Sequence, residues 1–149
     1  MAEKIIPTPA LLEKLFETSS IQRFIKRYEK HMTDTPLHTY LAECCKKKGL
    51  TKAQVIFDSG IDRTYGHHIF GGRKNPSRDK IILLAFGCKM DYTEAQELLR
   101  VAQKNALYPK VKRDAVIIKA LEHKIPIDTV QGTLKELGLP YIDKESRYE

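Results

Sequence analysis

The chain of 149 residues has no long apolar run. Its longest, Ile81 to Phe86, falls far short of the ~20 residues that a membrane-spanning helix needs. The N-terminus MAEKIIPTPALLEK lacks the apolar stretch and cleavage site of a secretory leader, so the chain is expected in the cytoplasm and away from membranes. Cysteine is scarce. Cys44 and Cys45 are adjacent and Cys88 stands apart, which fits neither a disulfide framework nor a C-x-x-C metal pair and leaves reduced, partly buried thiols. β-Branched residues never alternate with polar ones over a useful length, and neither an internal repeat nor a low-complexity tract is present.

Catalytic signatures are missing as well. Gly71-Gly72 precedes cations rather than a strand-to-helix crossover, so it is no phosphate-cradling loop, and no carboxylate pair or Cys-His arrangement stands out. The adjacent His67 and His68 cannot share a metal ion from one helix, because neighbouring side chains diverge by about 100 degrees. No third ligand of suitable spacing lies nearby. A non-enzyme without cofactor or metal is the expectation.

What is present is ordinary hydrophobic content, 42%, with 30% charged residues, the balance of a folded chain. The net charge is +7. Lys and Arg outnumber Asp and Glu by 6 to 5 over residues 1–34, by 10 to 4 over residues 35–90, and stand at 10 to 10 over residues 91–149. A basic excess confined to the middle third suggests a surface that faces a polyanion there.

Helical spacing runs through the whole chain. A short helix is predicted from Ala10 to Glu17, and a second, capped by Ser19 or Ser20, carries Ile21, Phe24, Ile25, Tyr28 and Met32 on one face. Thr33-Asp34-Thr35-Pro36 breaks the chain. The next helix runs from about Leu37 to Lys48, with Lys46, Lys47 and Lys48 complementing its dipole and Gly49 as its stop. Thr51 and Gln54 form a capping box that opens a helix to about Ser59. After Gly60, Ile61 plugs inward and Asp62 caps a short helix from Arg63 to Phe70. Two short helices joined by a glycine turn are the physical content of a helix-turn-helix. Gly71 to Pro76 is a loop, and Ser77 or Asn75 starts a flatly apolar, buried helix through Phe86. Asp91 and Glu94 form a second capping box for a helix to about Ala102. Beyond the Leu107-Tyr108-Pro109 turn come helices from about Val111 to His123 and from Ile127 to Leu137, ended by Gly138 and Pro140. The expected domains are an N-terminal helical extension over 1–36, a five-helix body over 37–103, and a C-terminal helical pair and tail over 104–149.

The five-helix block resembles the lambda-repressor-like family of helix-turn-helix regulators, the Cro and CI type also called the Xre family. Leu50-Thr51-Lys52-Ala53-Gln54-Val55, Gly60-Ile61-Asp62-Arg63 and Ile69-Phe70-Gly71-Gly72-Arg73-Lys74-Asn75-Pro76-Ser77 carry the resemblance. It covers less than half of the chain and implies an all-α protein that binds double-stranded DNA, usually as a homodimer, and regulates transcription, as a repressor. By position it implies that Asp62, Arg63, Thr64, His67 and His68 read bases in the major groove. Thr51, Lys52, Arg73, Lys74, Asn75, Ser77 and Arg78 would hold the DNA backbone, the last two through their amides. Helical spacing agrees, since Arg63 stacks one turn from His67 and Thr64 one turn from His68. An arginine fork suits guanine, and histidine or threonine can donate to base or phosphate.

This chain departs from the family pattern at three core positions. It has Ile56 where the family prefers a small residue, Gly66 where it prefers an aliphatic one, and Ser59 where it prefers an apolar one. Because the first two positions face each other in the family fold, volume gained at Ile56 is expected to offset volume lost at Gly66. Asp62, a carboxylate near phosphates, is expected to cap its helix. The rival reading is a protein-interaction adaptor or antitoxin whose C-terminal helices bind a protein partner, the helix-turn-helix serving as scaffold. A lesser rival is RNA or nonspecific nucleic-acid binding.

Overall fold

Glycines, prolines and capping side chains mark many of the helix boundaries in this chain and divide it into short rods. The structure, a computed structural model, describes residues 7–32 and 35–143, the side chain of His31 apart. Expectations that fall on residues 1–6, 33–34 and 144–149, the break at Thr33-Asp34 among them, lie outside the described residues. Every regular element described is helical: α1 (Thr8–Glu17), α2 (Ile21–Tyr28) with a 3-10 turn after it (Glu29–His31), α3 (Leu37–Lys48), α4 (Lys52–Ser59), α5 (Arg63–Phe70), α6 (Arg78–Gly87), α7 (Tyr92–Val101), α8 (Lys112–Glu122) and α9 (Ile127–Glu136). The protein is all-α, without a strand among the described residues.

The chain divides into two compact units, Met1–Asp34 and Thr35–Glu149. The boundary expected at residue 103 therefore does not separate two bodies. In the first unit α1 starts at Thr8, earlier than the predicted Ala10, because Pro9 sits in the first turn, where its missing N–H costs nothing. The Ser20 side chain caps α2 by accepting from the Arg23 amide. Phe24 and Tyr28 are buried with ring centroids 4.9 Å apart. Ile21 and Ile25, predicted on the same covered face, are exposed, so only one edge of that apolar stripe is used.

The second unit is built around α6. Ile81, Ile82, Leu83, Leu84 and Ala85 are all buried, which a helix achieves only when neighbours cover it on every side. α4 packs on α5 and α6, α3 on α4, α5 and α7, α6 on α7, and α8 on α7 and α9. The closest approach is at Gly87, where an added Cβ would run into the Val55 carbonyl oxygen and come 3.0 Å from Cβ of Ser59. Only glycine lets α6 lie this near to α4.

Caps follow the sequence with one correction. Asp91 and Glu94 form the full box, Asp91 Oδ1 accepting from the Glu94 amide at 2.8 Å and Glu94 Oε1 from the Asp91 amide at 3.2 Å. At Thr51 only half a box exists. The hydroxyl accepts from the Gln54 amide at 3.1 Å, but the Gln54 side chain turns forward and donates to Asp58 at 2.8 Å, one helical turn on.

The C-terminal pair finds its covering surface on the same body. Ile117, Leu121, Ile127, Val130, Leu134 and Ile142 belong to one core with the residues of α3 to α7. Leu137, at the end of α9, is 60% exposed, whereas the polar Gln131 is buried. The Gln131 amide donates to the Ile142 carbonyl and accepts from the Ile142 N–H, both at 2.8 Å, and so pins the last described residues.

Candidate nucleic-acid interface

The turn between α4 and α5 follows from four residues. Gly60 takes the left-handed conformation at φ +78°, Ile61 is buried, and Asp62 Oδ2 accepts from the Tyr65 amide at 3.0 Å to start α5. The hydroxyl of Ser59, buried among apolar groups, donates to the Ile56 carbonyl at 2.7 Å and accepts from the Ile61 amide at 3.4 Å. Its polar group is thus satisfied within the turn.

α5 buries Gly66, Ile69 and Phe70 and leaves Arg63, Thr64 and His67 exposed and His68 half-buried. Gly66 meets Ile56 across the two helices: a Cβ there would lie 2.6 Å from Cγ2 and 2.8 Å from Cγ1 of Ile56. The β-branched side chain of Ile56 fills the space that a larger residue at position 66 would occupy. Arg63, Thr64, His67, His68, Gly71 and Arg73 then line one shallow groove of about 600 Å³.

The exit from α5 is a Schellman turn. Gly72, at φ +75°, donates to the Ile69 carbonyl at 3.1 Å, and Arg73 donates to the His68 carbonyl at 2.9 Å. The loop so fixed carries Arg73, Lys74 and Asn75 out to solvent. With Leu37, His38, Ile69 and Gly72 these three line a second groove of about 310 Å³, which shares Arg73 with the first. Sequence reading missed His38, since nothing in the residue order joins position 38 to position 72.

The remaining expected contacts are placed less uniformly. Lys52 is exposed, with Nζ 5.9 Å from the Phe70 ring centroid. The Thr51 and Ser77 hydroxyls are occupied as caps, Ser77 accepting from the Lys80 amide. The Arg78 guanidinium turns away to Asp114 Oδ2 at 2.9 Å and to the carbonyls of Asn105 and Ala106, so at this surface Arg78 offers its amide alone.

Charge is redistributed accordingly. Of the middle-third cations, Lys48, Arg78 and Lys80 pair with Glu94, Asp114 and Asp143, all from the balanced C-terminal third. Lys52, Arg63, Arg73 and Lys74 have no carboxylate partner among the described residues. No acidic residue lines either groove. Among the described residues no three His, Cys, Asp or Glu side chains come together in a way that could hold a metal ion, and no helix is long and apolar enough to cross a membrane.

The cysteines lie elsewhere and are free. Cys45 and Cys88 are buried against each other; the hydrogen bond from Cys88 holds the Cys45 thiol down, and the same bond, with burial, pushes Cys88 up. No family model, curated protein or solved structure matches the chain.

Proposed function

We propose that the protein is a sequence-specific DNA-binding transcriptional regulator of the lambda-repressor-like kind, a repressor that acts as a homodimer. The observation that carries this reading is the outer face of α5. Arg63, Thr64, His67 and His68 share one acid-free groove with Arg73, while the opposite face of the same helix is buried in the core. A helix held by one face and lined with donors on the other has the width and chemistry to enter a major groove.

In this reading α4 and α5 form the helix-turn-helix within the body α3 to α7. Arg63 addresses guanine through its fork, Thr64, His67 and His68 donate to base edges or phosphates, and Asp62 fixes the helix start by capping. Lys52, Lys74, Asn75 and the amides of Ser77 and Arg78 set the register on the backbone, with Arg73 bridging the two grooves. Homodimers would place two α5 helices on adjacent half-sites about one DNA turn apart.

Selection of bound sites from random duplexes tests this, an enriched palindrome being the expected result. Arg63→Ala should then lose about 1 to 3 kcal/mol of discrimination at one base position. Lys74→Ala should weaken all sequences alike and lower the salt slope by about one.

A second reading, docking of a protein partner at the C-terminal helices, draws on an apolar pocket of about 620 Å³. It is lined by Phe57, Phe86, Leu121, Ile125, Pro126 and Ile127 among others. No binding of the full chain to any duplex at low salt would favour it.

A further inference from the structure

We infer that His38 is a phosphate-binding side chain of this same interface and that it makes DNA affinity rise as pH falls. The inference rests on the DNA-binding reading and adds a residue and a form of regulation to it.

The first observation is the composition of the second groove. Its polar lining is His38, Arg73, Lys74 and Asn75, over a floor of Leu37 and Ile69. A concavity lined by cations and donors, without a carboxylate, suits an anion of phosphodiester size and repels a metal ion. Because Arg73 also lines the α5 groove, a strand whose bases face α5 has its backbone within reach of His38.

The second observation is the way the imidazole is held. A Cβ on Gly72 would come 2.9 Å from His38 Nδ1 and 3.0 Å from Cε1, so the ring lies against bare backbone that only glycine supplies. His38 is half-buried there, and none of its ring nitrogens is hydrogen-bonded to a described residue. The side chain is thus positioned without being consumed, with its donors left for a ligand.

Among the described residues, the charged groups that line the groove with it are Arg73 and Lys74 from the exit loop. α5 offers Ile69 and its own helix offers Leu37, neither of which titrates. Histidine is the side chain that ordinarily gains its proton between pH 5 and 8. A phosphate held at the ring favours the protonated imidazole, by its opposite charge and by accepting its N–H. DNA binding and proton uptake at His38 therefore favour each other.

The experiment measures fluorescence anisotropy of a labelled DNA duplex with the full chain, over a salt series at pH 5.5 and at pH 8.5. Variants are His38→Gln, His38→Lys and the pair His67→Gln with His68→Gln, each checked for retained helicity and melting temperature. The salt slope of the His38→Gln protein should be shallower than wild type by about one at pH 5.5, with affinity several-fold lower, and equal to it at pH 8.5. His38→Lys should keep the steep slope at both pH values. Equal loss at both pH values, or pH sensitivity that survives His38→Gln and vanishes with the His67 and His68 pair, overturns the inference while DNA binding stands. A wild-type chain that binds no duplex at either pH overturns the DNA-binding reading itself, and this inference with it.

Discussion

Ile56 and Gly66 show how two residues that depart from a pattern singly can agree as a pair. Glycine inside a helix costs roughly 1 kcal/mol in propensity relative to alanine. Steric contact outweighs that gain here, since a Cβ at Gly66 meets the stiff branch of Ile56 at 2.6 Å. Ile56→Ala alone should lose about 2–4 kcal/mol through the cavity it leaves. Gly66→Ile alone should lose a comparable amount by overpacking. The double change should melt closer to wild type than the worse single change does. Thermal melts in which the two losses simply add would show that the volumes are not exchanged across this contact.

At the scale of the element, the helix ends differ in how they turn. Gly49, Gly60, Gly72 and Gly138 take the left-handed conformation without strain, whereas Lys89, Gln103 and Lys124 take it with a side chain attached. Two of these three are tied to one another, because the Lys48 and Lys124 ammonium groups both donate to the Lys89 carbonyl. Gln103 is exposed at the end of α7, where its amide donates to Arg100 and that of Lys104 to Leu99, so its left-handed φ of 58° is required by the turn. Gln103→Gly should therefore stabilise the protein by about 0.5–1 kcal/mol, the relief of the left-handed strain exceeding the added freedom of the unfolded chain. Chemical denaturation midpoints would check this, and a lower midpoint with an unchanged m-value would contradict it.

Across the whole molecule, three consecutive residues at the start of α6 reach to the C-terminal segment. Arg78 pairs with the buried Asp114, Asp79 receives two bonds from Arg113 at 2.8 and 3.0 Å, and Lys80 pairs with Asp143 at 2.9 Å. Arg113 also donates to the carbonyls of Pro140 and Tyr141, and the Asp143 amide to Asp79. Burial works against the charge of Asp79, but the Arg113 guanidinium and the Asp143 amide together outweigh it and hold the carboxyl below its ordinary range. A carboxyl depressed in the folded state adds stability that is fully present above its unfolded value near 4 and is lost as pH falls through the folded one. Melting temperature should thus fall on acidification below about pH 4. Asp79→Asn should lower stability at pH 7 and flatten that decline, and an acid limb as steep as wild type would assign the loss to other groups.

Much of the architecture was legible in residue order, because helix boundaries here are local events. Asp62, Ser77 and Asp91 cap within three residues of themselves, and Gly49, Gly60 and Gly138 stop helices by their own conformational freedom. The outward set on α5 was legible too, since helical periodicity alone puts Arg63, Thr64, His67 and His68 away from Tyr65 and Ile69. What residue order could not decide was which cations are spent inside the fold. Arg78 and Lys80 read like Arg73 and Lys74, and only the arrival of Asp114 and Asp143 from more than 30 residues away separates them. His38 reached the exit loop in the same way, through packing of α3 on α5. Caps and periodicity act over a turn or two and are written in neighbouring residues. Pairing of charges across the core depends on where distant helices come to rest, and that is settled only when the apolar faces have closed.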